Sequence, residues 1–151
     1  MPSPTIDRTV FQSSELSRSS GTVCAAADDH PVEVTRRDGE PLVLMSGREN
    51  RSRDALLELA GQLIAVTTET EGTLTERMTN YFPWMLALSP EGQETCSKEL
   101  IRAARASFAT GQAHLAIAEL TAWKETATAL AAGLGGTSVT WLDESIPVER
   151  P

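Results

Sequence analysis

Side chains able to shuttle protons or attack an electrophile are scarce and scattered in this 151-residue chain. Of its two histidines, His30 stands beside a proline and His114 lies in a helical stretch far from it. Cys24 and Cys96 lack the CxxC spacing of a zinc or redox pair, and two reduced, buried thiols are the simpler reading. No GxSxG, HExxH, P-loop or GxGxxG run occurs, and the carboxylates are spread over what read as solvated helix faces. No catalysis, metal or cofactor is therefore expected. The most pointed chemistry belongs to the consecutive pair Arg36 and Arg37, which fall at the tip of a strand-turn-strand pattern. A guanidinium stays charged at any physiological pH and presents a planar fork of donors that matches phosphate oxygens and base edges. A basic turn that only aids solubility would look the same.

Charge narrows the choice of partner. The net charge is −8, with a pI near 4.7, which is unpromising for a nucleic-acid binder taken as one unit. It is unevenly spread, however. Residues 1–53 hold seven Arg against eight acids, a net −1, whereas residues 54–151 hold six Lys plus Arg against thirteen acids, a net −7. The first third can meet phosphate locally, and the remainder suits a basic protein partner.

The elements that must position these residues follow from periodicity. Asp7 to Gln12 alternates as a short strand, and Ser13-Ser14-Glu15 then supplies an N-cap oxygen and a first-turn acid for a helix. That helix carries Leu16, Val23 and Ala26 or Ala27 and must stop before Pro31. Val32 to Arg36 alternates again, Asp38-Gly39 suits a tight turn, and Pro41 to Ser46 returns as a strand. That last strand is apolar on both faces, which predicts a central or doubly covered strand rather than an edge. A long helix follows through residues 53–64, with Leu56, Ala60, Leu63 and Ile64 along one side. Polar residues 67–73 mark a hinge. Pro83 interrupts an aromatic patch of Tyr81, Phe82 and Trp84, and Ser89-Pro90-Glu91 opens a helix bearing Cys96, Leu100, Ala103 or Ala104, and Phe108. Thr110-Gly111 ends it, and a last helix carries Leu115, Ala118, Ala122, Trp123, Ala127 and Leu130 up to the glycines at 133, 135 and 136. The fold class expected is α+β: a small three-stranded sheet with helices, then a helical module.

A helix opening Ser14-Glu15-Leu16, a strand ending Val34-Thr35-Arg36, and Gly39-Glu40 leading into Val43-Leu44-Met45-Ser46 resemble the N-terminal half of the prevent-host-death (Phd/YefM) family of type II antitoxins. The resemblance covers about residues 9–66 and implies a homodimer formed through the small sheet and first helix. It also implies operator DNA binding, with repression of the protein's own operon, and capture of a cognate toxin by the C-terminal region. In that family one DNA-contacting arginine lies at the strand end, which falls on Arg36 with Arg37 beside it. Another lies early in the first helix, where this chain has Ser17; the nearest arginine is Arg18, one position on and turned by about 100°.

Three segments are thus expected: a dimerisation and DNA-binding part at 1–66, a helical partner-binding module at 67–136 resembling an extension of some actinobacterial members, and a tail at 137–151. Trp84 and Trp123 fit the core of a helical hairpin better than direct toxin contact. In the tail, Trp141, Leu142 and Ile146 stand among acids beyond the glycine-rich break. They suit either a partner's groove or docking within the chain. A stand-alone transcriptional regulator whose helical half senses a small molecule or protein is the competing expectation. With no apolar run of bilayer length and no signal segment at the start, the expected location is the cytoplasm, away from membranes.

Overall fold

The computed structural model describes residues 8–135. Strand β1 (Val10–Gln12) leads into a short helix α1 (Glu15–Arg18) and then α2 (Ser20–Asp29). The single helix expected here is broken at Ser19, whose φ of −142° leaves the helical region. Ser14 makes no side-chain capping bond; instead the Glu15 carboxylate reaches back to accept from the Gln12 N–H at 2.7 Å. The α2 helix stops at His30, in front of Pro31, as the proline rule requires.

Strands β2 (Val32–Thr35) and β3 (Leu42–Leu44) complete a sheet of order β1-β2-β3, with β1 parallel and β3 antiparallel to β2. The register places Phe11 beside Val34, and Val34 opposite Leu42, so one face is apolar and receives α2 through Val23 and Ala27. The central position expected for β3 is wrong: β2 is central and β3 is the outer strand. Leu44 packs partly on the cluster beneath α2, but Leu42 and Val43, on opposite faces of β3, are left 52% and 61% exposed.

The long helix α3 (Gly47–Thr68) starts earlier than its periodicity suggested because Ser46 caps it, accepting from the Glu49 N–H at 3.1 Å. Its buried residues are Leu59, Leu63 and Val66, while Ile64, expected on the inner side, is exposed. After Gly72, at a φ of +76°, Thr73 and Glu76 cap α4 (Leu74–Tyr81) reciprocally. Pro83 then opens a 3-10 turn (Pro83–Ala87) that sends Phe82 and Met85 inward. Helix α5 (Pro90–Thr110) begins at the Ser89 cap and ends at Gly111, whose φ of +65° is the left-handed conformation glycine adopts without strain. Helix α6 (His114–Ala131) returns along α5.

The α6 stripe also differs from expectation. Ala116 and Ala127 are buried and Leu120 and Trp123 half-buried, whereas Leu115, Ala118, Ala122 and Leu130 face solvent. Alanine occurs all around this helix, so apolar spacing alone could not select a face. The helices enclose one cluster that includes Leu59, Met78, Met85, Cys96, Leu100 and Ala127. A separate, smaller cluster of Phe11, Val23, Ala27 and Val32 lies between α2 and the sheet.

Candidate nucleic-acid interface

At one end of the sheet the backbone draws two arginine-bearing segments together. Because β1 and β2 are parallel, Gln12 and Thr35 lie side by side at their C-terminal ends, and each strand continues past that edge. The Ser13 N–H donates to the Thr35 carbonyl at 2.9 Å, and the Thr35 hydroxyl donates to the Phe11 carbonyl at 3.2 Å. Helix α1, ending in Arg18, and the connection beginning Arg36-Arg37 therefore leave the sheet from the same edge. Arg18, Arg36 and Arg37 are all exposed.

Local chemistry treats the two hairpin arginines differently. Residues 36–41 form a longer connection than a two-residue turn, in keeping with Pro41, which has no N–H to give to a strand ladder. Arg36 closes it: its Nε donates to the Glu40 carbonyl at 2.8 Å, and its guanidinium lies over Gly39. Gly39 has a φ of +132°, and an added Cβ would stand 3.0 Å from Arg36 Nη2, so both the backbone and the arginine require glycine there. Arg37 forms no ion pair among the described residues and is the more available cation.

Arg8 is a cation that sequence reasoning did not assign. It holds Glu15 through two 2.8 Å bonds and sits 4.4 Å from the centre of the Phe11 ring. The Arg8 guanidinium, followed by the Gln12 amide, holds the Glu15 carboxyl below its ordinary range. Arg8 thus anchors the start of α1 and offsets the nearest acid to Arg18. Arg48 and Arg51, on the first turns of α3, belong to the opposite end of the sheet. There the Ser46 N–H donates to Ala27 at 3.1 Å, and Asp28, Asp29 and Glu49 share the cleft with Arg48. The acids make that end a poorer phosphate surface.

The candidate partner residues lie elsewhere. Trp84 meets Phe82 edge-on at 6.2 Å and is half-buried. The Trp123 indole N–H donates to Glu119 at 2.9 Å and to Glu99 at 3.1 Å, joining α5 to α6. Both rings pack against the helical cluster. Cys96 is buried beneath them, and burial, reinforced by Glu119 and Glu99, pushes its thiol up to about 12, which keeps it protonated and inert. Trp141, Leu142 and Ile146 lie outside the described residues.

One surface was not anticipated at all. Between α3 and α5, Ile64 and Phe108, 63% and 47% exposed, flank a groove of about 460 Å³ floored by Leu63, Ile101 and Ala104. It continues along α5 toward Leu74, past Lys98, Arg102 and Arg105. The only trace in the sequence is a second apolar line on each helix, Leu57 with Ile64 and Ile101 with Phe108, at seven-residue spacing.

His30 and His114 lie on separate elements, and no group of three or more His, Cys, Asp or Glu converges among the described residues. No helix among them is long and apolar enough to cross a membrane. No family model, curated protein or solved structure matches the chain.

Proposed function

We propose that this protein is a type II antitoxin and autorepressor: a homodimer that binds operator DNA through Arg36, Arg37 and Arg18 and neutralises a cognate toxin through its acidic C-terminal part. The main support is the end of the sheet from which the two segments bearing these three exposed arginines both emerge. Arg8 ties down the neighbouring carboxylate of Glu15, and although Asp38 and Glu40 stand in the same connection, neither forms an ion pair with Arg36 or Arg37 among the described residues. The uncovered Leu42 and Val43 on the outer strand favour pairing with a second copy, since a three-stranded sheet over one short helix buries little alone. Toxin contact is assigned first to Trp141, Leu142 and Ile146. Trp84 and Trp123 come second, because both also hold the helical cluster together.

The test is binding of the full chain to DNA from its own promoter at several salt concentrations. Replacing Arg36 and Arg37 together with Ala abolishes specific binding and lowers the slope of log affinity against log salt by about 0.9 for each phosphate no longer neutralised. Because Arg36→Ala also removes the bond to the Glu40 carbonyl that closes the connection, Arg37→Ala alone and melting curves of both variants separate loss of phosphate contact from loss of the turn. Normal binding by the double variant would remove the hairpin from the interface. A stand-alone regulator is the second reading, favoured by the self-contained core of the helical half. Co-purification with the product of an adjacent reading frame separates the two.

A further inference from the structure

We infer that, in the protein without a partner, the groove between α3 and α5 is the docking site of this chain's own segment 141–149, from which a toxin engaging Trp141, Leu142 and Ile146 would have to displace it; the docking does not depend on the protein being an antitoxin. Groove and segment are complementary in both polarity and charge. The groove is apolar along Ile64, Ile101 and Phe108, with cations on one side only. Of these, Lys98 is paired with Glu94 at 2.6 Å, whereas Arg102 and Arg105 form no ion pair among the described residues. The segment interleaves Trp141, Leu142, Ile146 and Val148 with Asp143, Glu144 and Glu149, so it offers apolar side chains to the groove and carboxylates to the two free guanidinium groups. A basic partner would have to find this acidic segment in solution, whereas the chain's own cationic groove is tethered to it at high effective concentration.

The tether is long enough. Ala116 bonds to Ser107 and Trp123 to Glu99, so α6 runs antiparallel to α5 and ends beside the first turns of α5. From there to Ile101 is about ten residues of helix, or roughly 15 Å. Gly135 to Trp141 is six residues of chain, able to span roughly 20 Å. Docking would cover Ile64 and Phe108, which are otherwise the exposed walls of an apolar groove on a helix pair.

Fluorine NMR of the full chain labelled with 5-fluorotryptophan tests this directly, the three resonances being assigned with Trp141→Phe and Trp123→Phe. The expected result is a Trp141 resonance displaced from that of a free peptide of residues 137–151 and independent of protein concentration. Arg102→Glu with Arg105→Glu returns it to the peptide position while the Trp84 and Trp123 resonances stay in place. Adding Asp143→Lys, Glu144→Lys and Glu149→Lys to that variant displaces it again. A wild-type Trp141 resonance at the peptide position overturns the inference, as does a displaced resonance that ignores both charge reversal and Ile64→Lys. Displacement that grows with concentration also overturns it, assigning the segment to a second copy instead.

Discussion

Among the described residues, two apolar clusters differ threefold in size: four buried residues hold α2 on the sheet, and twelve hold the helices together. They differ also in how their ends are finished. In the helical part, Thr73 with Glu76, and Ser89, satisfy the first amides of α4 and α5, and Gly111 closes α5. In the sheet part, Ser14 makes no capping bond, α1 breaks at Ser19, and the outer strand leaves Leu42 and Val43 uncovered. Although α6 starts at Ala113 without a side-chain cap, capped α4 and α5 and a large core belong to an element that folds by itself. A thin core beside an unpaired apolar strand belongs to one whose stability depends on what pairs with it.

The strongest contrast to probe is thiol reactivity, because each part holds one cysteine. Cys24 is exposed on α2 and Cys96 is buried in the helical cluster. With its thiol pushed up to about 12, Cys96 is ionised to about one part in ten thousand at pH 8 and about one in a thousand at pH 9. Raising pH across this range therefore leaves it protonated. Ellman's reagent is expected to titrate one thiol in the folded protein and two after denaturation. If both reacted at once, the helical cluster would open as readily as the sheet, and the comparison would fail.

Next in size is the effect of truncating a core side chain. Leu100 is fully buried, and Leu100→Ala should lower the stability of the helical cluster by about 3 kcal/mol. Native-state hydrogen exchange should show reduced protection in α5 and α6 with the β2 amides unchanged. A simultaneous reduction in β2 would mean that both clusters melt as one.

The smallest expected effect compares two serines at helix starts. Ser89→Ala removes a 3.1 Å bond from the Gly92 amide and should cost about 1 kcal/mol, whereas Ser14→Ala should be nearly neutral because Ser14 caps nothing. Equal melting shifts for the two variants would remove the distinction in capping.

Features written in local chemistry were legible in the sequence. Pro31, Ser89-Pro90-Glu91 and Gly111 mark their boundaries by sterics and hydrogen bonding that need no distant partner, the first two strands follow from alternation, and the third from an apolar run after a turn. Features decided by distant contacts were not. The apolar residues of β3 suggest a central strand because a strand's sequence does not reveal whether its cover comes from the same chain. Helix α6 hid its inner face among alanines, and Ser14 lost its capping role to Glu15, whose conformation is set by Arg8 from before the strand. For the site, Arg36 and Arg37 were legible as a turn pair. The sheet register that brings Arg18 to the same edge, and the groove between α3 and α5, exist only once separate elements are packed.

Helix α3 carries a mechanical consequence. Its 22 residues, about 33 Å of helix, follow directly from β3 and bury Leu59, Leu63 and Val66 in the helical cluster only in their second half. The first half is a largely exposed shaft, with Arg48, Arg51 and Arg53 in solvent until Leu56 meets the helical cluster. Such a shaft fixes phase as well as distance. One residue added or removed between Arg53 and Leu56 would shift the far end outward or inward by about 1.5 Å and turn it by about 100°, whereas seven residues would restore the angle to within about 20°. The length of this stretch therefore sets the angle between what its two ends carry, whatever polar residues occupy its solvent side.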